Sequence, residues 1–173
     1  GAMRHEDYTP KSVEPYGNDW KIFPVDGYGT QEAIRSIMQK EKPDVLWFMT
    51  DPRFYGWLWE IENEVRAVMP MVYYHVWDNF PAPKYNAPFY ESTDEVVCIS
   101  KVTDAIVKEV APSVSSCYVP HAVNSNIFYK FKTPEKLQVA QELRNRVLEG
   151  AENSGKKLFF WNNRNARRKQ SGT

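Results

Sequence analysis

The sequence predicts an α/β protein with a Rossmann-like parallel sheet and helices on both of its faces. Apolar runs at 45–49, 71–76 and 95–99 are continuous, which is typical of strands buried on both faces of a parallel sheet. Between these runs, apolar residues recur at helical spacing, and strands that alternate with helices favour an α/β fold. With 173 residues, 42% of them hydrophobic and 25% charged, the chain can bury a core.

The charge balance and the cysteine content argue against several classes of protein. Lys plus Arg and Asp plus Glu both number 22, and this formal net charge of 0 argues against a nucleic-acid partner. No apolar run approaches the roughly twenty residues that span a bilayer, and no signal-peptide pattern is visible. Cys98 and Cys117 lie in apolar surroundings and predict small core residues of a reducing compartment, so we expect a cytoplasmic protein.

The first predicted elements lead into the strand at 45–49. The run Trp-Lys-Ile-Phe-Pro-Val at 20–25 indicates a short strand. Thr30 can cap a helix over 31–41, in which the apolar residues form one stripe. Pro43 ends that helix directly before the apolar run.

The middle of the chain predicts one helix, two strands and a loop. Apolar residues at helical spacing indicate a helix over 53–68, which Pro70 ends. The strand at 71–76 follows, and 95–99 forms the next strand. Residues 78–88 contain three prolines and two asparagines, so they predict the loop between these strands.

The later elements begin with Ser100, which can cap a helix over 101–110. A short strand is predicted at 117–119. A long helix runs from 134 to about 149, because a proline stands at its favoured first position after Thr. The apolar residues at 157–161 predict a final strand.

These elements predict three segments. Residues 1–19 comprise a tag remnant (Gly-Ala-Met) and an irregular entry segment broken by prolines and a glycine. Residues 20–150 form the Rossmann-like domain. Residues 151–173 form a linker followed by a strand and a loop that we expect to open a second, incomplete domain.

Ligands of open parallel sheets bind beyond the carboxyl ends of the strands, so function is sought in the loops there. His75 lies near the end of its strand, and Asp78 follows three residues later, so the pair can orient or deprotonate a hydroxyl. The rings of Trp77, Phe80 and Tyr85 can stack on the apolar face of a sugar. A hydrogen-bonded core histidine and aromatic packing against the core or the prolines are the alternatives.

The other strand-end loops give weaker signals. The glycines at 26–30 can admit a phosphate, but a tight turn is the better interpretation because the third glycine of the dinucleotide fingerprint is absent. The carboxylate and guanidinium at 50–55 can form a site or a helix cap. Ser100 is most simply a cap, and His121 and Asn124 lie in a turn made rigid by a proline.

The sequence does not predict a metal site. The histidines His5, His75 and His121 are far apart, and the cysteines lack Cys-x-x-Cys spacing. Neither a Gly-x-Ser-x-Gly nor a Ser-x-x-Lys nucleophile pattern is present.

The chain ends in a strongly basic segment. Four cations lie within 164–169, straight after the predicted strand, and they can grip a diphosphate. A solvated basic tail is the alternative. The apolar side chains at 159–161 need burial, and this favours a strand at the start of a second domain.

Five segments in order resemble the retaining GT-B glycosyltransferases of family four, the group-one glycosyltransferases. Residues 42–46 resemble the "KPDVL" strand, and 75–78 the strand end that carries a His-Asp pair. Residues 94–101 are similar to "D-x-V-V-x-x-S". Residues 118–124 resemble "IPNGVD", with Ala122 and Asn124 in place of Gly and Asp, and 163–170 resemble "GRL-x-x-RKG".

The resemblance implies transfer of a sugar from a nucleotide diphosphate sugar to a carbohydrate, lipid or other acceptor. It implies retention of configuration, no metal and no cofactor besides the donor substrate. Arg164 and Lys169 would bind the donor diphosphate, and His75 and Asp78 would contact the acceptor or the donor sugar. The further residues expected at the acceptor side are Trp77, Asn79, Ser100, His121 and Asn124. Peripheral contact with a membrane would be compatible with this function.

The resemblance also implies that the chain is the N-terminal domain of the GT-B fold, truncated at both ends. The Gly-rich first strand and the donor pocket of the family have no counterpart here, so we expect the chain to be inactive by itself. One alternative is a non-enzymatic flavodoxin-like binding or assembly module with a phosphate-contacting basic tail, in which 157–161 would close the sheet. A second alternative is a nucleotide-dependent sugar epimerase.

Overall fold

The computed structural model describes residues 9–77, 79–149 and 155–162. The chain divides into two compact units between Ala122 and Val123. The strands are β1 Lys11–Val13, β2 Gly17–Ile22, β3 Leu46–Met49, β4 Met71–His75, β5 Glu95–Cys98 and β6 Ser116–Tyr118. The α-helices are α1 Gln31–Glu41, α2 Gly56–Trp59, α3 Glu62–Arg66, α4 Ala87–Glu91, α5 Lys101–Val110 and α6 Pro134–Val147.

Four strands of the first unit form the parallel sheet, in the order β3-β4-β5-β6. Phe48 pairs with Tyr73, Tyr73 with Val96, and Val96 with Ser116. The predicted α/β class, with a parallel sheet flanked by helices, is confirmed and is consistent with a Rossmann-like fold.

The core lies on one face of this sheet. Leu58, Val65 and Val107 of the helices pack there against the strands. The residues that the four strands contribute occupy alternate positions: Phe48, Met71, Tyr73, Val96 and Cys98. Strands joined in sequential order by right-handed crossovers place their helices on the same side, which is consistent with a core cluster on this face.

The opposite face is buried at the two central strands, by Tyr74 and Val97, and exposed at the two edge strands. Trp47 and Met49 are exposed, as is Cys117. The prediction of helices on both faces is confirmed only as far as a parallel sheet flanked by helices. The prediction that Cys117 is a core residue is wrong, because β6 presents it on this face, whereas Cys98 on the packed face is buried as predicted.

The first predicted strand is also wrong in its bounds and its partner. Residues 17–22, not 20–25, form the strand β2, and it pairs antiparallel with β1 in a separate two-stranded sheet. Tyr16 donates its N–H to the Val13 carbonyl, and Gly17 takes a φ of +56°, so a turn closes this hairpin. The described part of the predicted irregular segment is thus largely ordered.

The predicted helix over 53–68 is broken into three pieces. A 3₁₀ turn at Pro52–Phe54 precedes α2 and α3. Tyr55 and Ile61 separate the pieces, and both have a φ of −116°, which is outside the helical range. The pieces still place Leu58 and Val65 in the core, so the apolar periodicity of the sequence continues across the breaks.

The predicted loop at 78–88 contains regular structure. Residues Lys84–Asn86 form a 3₁₀ turn that leads into α4. Pro88 lies in the first turn of α4, where its missing N–H costs no hydrogen bond. The prolines that indicated a loop therefore mark a helix start, and α4 brings Tyr90 into the core.

Three predicted helices are confirmed together with their caps. The hydroxyls of Thr30 and Ser100 accept hydrogen bonds from the N–H groups of Ala33 and Thr103, at 3.2 and 3.0 Å. In the second unit, α6 starts at Pro134 after Thr133, as predicted. Residues 157–161, by contrast, form no strand, and their apolar side chains are exposed.

We predict that the packed face dominates the stability of the first unit. Replacing Val65 by Ala should lower the free energy of unfolding by about 1.5–3 kcal/mol, because the Val65 side chain is fully buried and its removal leaves a void. Val68→Ala is the matched control, since Val68 is 66% exposed three residues away and should cost at most about 0.5 kcal/mol. Urea unfolding of both variants tests this, and equal losses would contradict the packing.

Candidate functional site at the carboxyl edge of the sheet

The four parallel strands bring their carboxyl ends to one edge of the sheet. The segments that follow them are 50–53 after β3, 76–83 after β4, 99–100 after β5 and 119–121 after β6. Four of the residues predicted as a site from sequence lie in the described part of these segments: Trp77, Asn79, Ser100 and His121. The structure shows which of them face solvent and which serve the scaffold.

His75 ends β4 and is 1% exposed. Its Nδ1 lies 2.9 Å from the Tyr73 hydroxyl and its Nε2 lies 2.7 Å from the Tyr90 hydroxyl. Burial lowers the pKa of His75 to about 4, so the ring is neutral at physiological pH. Both nitrogens are occupied, and the imidazole therefore presents no free nitrogen to a ligand in this arrangement.

Trp77 lies above His75, with the two rings stacked at a centroid distance of 6.1 Å. Its Nε1–H donates to the Asn79 carbonyl at 3.1 Å, and its own carbonyl accepts from the Thr103 hydroxyl at 2.8 Å. The edge of Tyr85 meets the indole at 6.1 Å. The indole is thus held on several sides while it remains half-buried.

The surface around Trp77 is aromatic and open to solvent. Phe80 is 81% exposed and Tyr85 is 69% exposed, and the side chain of Asn79 is exposed as well. Apolar rings next to an amide offer both a stacking surface and hydrogen-bonding groups. Trp77 and Tyr85 are in contact with each other, and the prediction that these rings stack on a sugar stays a prediction.

The pair Asp51 and Arg53 lies at the end of β3 and belongs to the same edge. The Asp51 carboxylate accepts from the N–H and the Nε of Arg53 at 3.1 and 2.9 Å, and from a terminal nitrogen at 2.5 Å. The hydrogen bonds from the Arg53 side chain lower the pKa of Asp51 below its ordinary value. This pair caps the 3₁₀ turn, so the capping interpretation of the loop is correct.

Ser100 is a structural residue of this edge. Its hydroxyl caps α5 and lies 2.8 Å from the Thr103 hydroxyl, which in turn holds the Trp77 carbonyl. Ser100 therefore acts on the candidate site through Thr103 and does not line it.

His121 lies at the exposed end of the segment after β6. Its ring stacks on Tyr74 at a centroid distance of 5.4 Å, and its Nδ1 lies 3.1 Å from the Tyr74 hydroxyl. That hydroxyl donates its proton to the Val119 carbonyl at 2.9 Å, so Nδ1–H of His121 is the donor in the contact. Because Tyr74 and Tyr73 point to opposite faces of β4, His121 and His75 lie on different sides of the sheet.

The remaining predicted site residues are Asn124 and three residues outside the described ranges. Asn124 belongs to the second unit, where its side chain accepts from the Asn126 N–H at 2.9 Å and shapes a turn. Asp78, Arg164 and Lys169 lie outside the described residues. Within the described ranges, no group of three or more His, Cys, Asp or Glu residues could hold a metal ion.

A cavity that the sequence did not indicate lies beside β3. It has a volume of about 280 Å³ and is lined mainly by apolar and aromatic residues of α1, α2 and β3, among them Ile34, Trp57 and Phe48. In the described sheet, β3 is an edge strand, so the cavity runs along an open side. Neither His75 nor Trp77 lines it.

Comparisons with protein-family models, with curated proteins and with solved structures find no match. None of the described helices combines the length and apolar character that crossing a bilayer requires.

We predict that the contribution of Asp51 to stability depends on pH. Its folded-state pKa is lowered, so its stabilisation is present above the unfolded-state pKa of about 3.9 and is lost as the pH falls through the folded-state value. Asp51→Ala should cost about 1 kcal/mol near neutral pH, the usual cost of losing a cap, and less near pH 2. Urea unfolding at both pH values, with Asp19→Ala as control, measures this, and a pH-independent cost would contradict the role of the ionised carboxylate.

Proposed function

We propose that residues 20–150 are the acceptor side of a glycosyltransferase that uses a nucleotide diphosphate sugar as donor. The observation that carries the proposal is the aromatic surface at this edge, in which Tyr85 meets Trp77 edge-on and the Asn79 and Phe80 side chains just after Trp77 are exposed. Pyranose rings present an apolar face flanked by hydroxyls, and such a surface complements both features. Its position beyond the carboxyl ends of parallel strands is where ligands of this architecture bind.

The roles of Trp77, Asn79 and His75 in this proposal follow from where they lie, whereas those of Asp78, Arg164 and Lys169 rest on the sequence and on the resemblance alone. Trp77 stacks on the acceptor, and Asn79 and Asp78 of the same loop offer hydrogen bonds to its hydroxyls. His75 supports Trp77 from beneath, since both its nitrogens are occupied within the core. Arg164 and Lys169 neutralise the charge that develops on the leaving diphosphate, a form of electrostatic stabilisation that accounts for much of such catalysis. The similarity to family four implies retention of configuration without a metal.

Both this proposal and the flavodoxin-like alternative expect residues 157–161 to form a strand. That alternative requires residues 157–161 to close the parallel sheet. In the structure these residues form no strand, and Phe159 and Phe160 are exposed, so this segment favours neither reading.

The donor role of Arg164 predicts a loss of nucleotide-sugar affinity. In the full-length enzyme, Arg164→Ala should weaken binding of a nucleotide diphosphate sugar about 10- to 100-fold, the usual effect of removing a hydrogen bond to a charged group. Isothermal calorimetry with the uridine, guanosine and adenosine diphosphate sugars measures it. Arg146→Ala is the control, because it removes the same charge from the exposed side of α6. Unchanged affinity of the Arg164 variant would refute the donor role.

The stacking role of Trp77 predicts a loss of carbohydrate binding. Trp77→Ala should weaken binding of simple methyl glycosides and oligosaccharides by several-fold to about tenfold, in line with about 0.5–1.5 kcal/mol for an aromatic contact. Saturation-transfer NMR with a panel of glycosides measures this. Trp20→Ala is the control, since Trp20 is an exposed tryptophan of the hairpin. If both variants bind alike, the aromatic surface is not the acceptor site.

A further inference from the structure

A continuous chain of hydrogen bonds runs through the core beneath the aromatic surface. It starts at Asn86, whose Nδ2 donates to the Tyr90 hydroxyl at 3.2 Å. Tyr90 contacts His75, His75 contacts Tyr73, and the Tyr73 hydroxyl donates to the Thr50 carbonyl at 2.7 Å. The four side chains in this chain are all buried.

The Thr50 carbonyl sets the direction of the chain. A carbonyl can only accept, so the single proton of the Tyr73 hydroxyl is committed to Thr50. The Tyr73 oxygen must then accept from His75, and this requires that Nδ1 carry the proton. In a neutral ring Nε2 is consequently an acceptor, and the Tyr90 hydroxyl donates to it.

The Asn86 end is consistent with this direction. The Tyr90 hydroxyl uses its proton on His75 and keeps lone pairs that accept from the Asn86 amide. A charged imidazole would donate at both nitrogens, leaving the Tyr90 proton without this acceptor. Each polar group is therefore satisfied only when His75 is neutral and protonated at Nδ1, a requirement that matters because unsatisfied buried groups are costly.

We propose that Tyr73 and Tyr90 are positioning residues that hold His75 as the Nδ1–H tautomer. Through this chain of hydrogen bonds they couple the loop after β3 to α4 and to the loop that precedes α4. Thr50 begins the loop that carries Asp51 and Arg53, whereas Asn86 and Tyr90 lie just after the loop that carries the aromatic surface. His75 lies between them and stacks on Trp77. The effect on sugar binding rests on the proposed function; the tautomer and the coupling do not.

Long-range ¹H–¹⁵N NMR of the histidine rings tests the tautomer directly. His5→Gln and His121→Gln identify the His75 signals by elimination. The wild type should show Nδ1 protonated and Nε2 unprotonated between about pH 5 and pH 8, a range in which an ordinary histidine titrates. An Nε2–H tautomer, or a ring that titrates in this range, would overturn the proposal.

Two substitutions separate the roles of the tyrosines. Tyr90→Phe should leave the proton on Nδ1, because Tyr73 still accepts it. Tyr73→Phe should shift the ring towards the Nε2–H tautomer, because Nδ1–H loses its acceptor. Tyr74→Phe is the matched control, since it removes a hydroxyl from the same strand on the other face. If Tyr73→Phe keeps the Nδ1–H tautomer, the proposed direction is wrong; if that variant does not fold, the wild-type spectrum decides.

Hydrogen exchange tests the coupling. The amides of Tyr55 and Asn86 are hydrogen-bonded within the two 3₁₀ turns, to Pro52 and Pro83. Coupling predicts that Tyr90→Phe speeds exchange at Tyr55, and Tyr73→Phe at Asn86, each by about tenfold, while Tyr74→Phe changes neither. Effects confined to each variant's own side would overturn the coupling. Nucleotide-sugar affinity is measured separately, so failure of the glycosyltransferase proposal would leave these results intact.

Discussion

A neutral histidine held between two tyrosine hydroxyls is the interaction on which the packed side of this sheet depends. A polar ring can be buried at low cost only if its donor and its acceptor are both used. Tyr73 and Tyr90 meet this requirement from opposite sides of His75. Their own desolvation raises the pKa of both phenols, that of Tyr90 to about 12, so the hydroxyls keep their protons and can donate.

The same layer links segments that are distant in the chain. Phe48 of β3 stacks on Tyr73 at a centroid distance of 5.0 Å, and Trp59 contacts both rings edge-on. Aromatic packing and hydrogen bonding therefore act on one ring, Tyr73, at the centre of the core. This packed aromatic layer fixes the positions of the strand ends beside it. It thereby holds the Trp77 indole in place at the edge of the sheet.

At this edge of the sheet, some residues support the structure and others are open to solvent. His75 supports the edge by stacking on Trp77. Ser100 supports it through Thr103, whose hydroxyl donates to the Trp77 carbonyl. The exposed groups near Trp77 are the rings of Phe80 and Tyr85 and the Asn79 amide, and the proposed recognition of a sugar rests on them. The cations expected to bind a diphosphate lie instead in the last part of the sequence, at Arg164 and Lys169.

The sequence by itself determined the α/β class, the order of the parallel strands along the chain and the caps at Thr30 and Ser100, because these depend on local periodicity and on side chains that bond to nearby backbone. Only the tertiary structure decided that β2 pairs in a separate hairpin and that the prolines near α4 start a helix. It also decided that His75 is enclosed. Those outcomes depend on which surfaces pack together in the fold. Tyr90 contacts His75 although the two residues are fifteen positions apart in the sequence, and the residues that flank them do not indicate this contact.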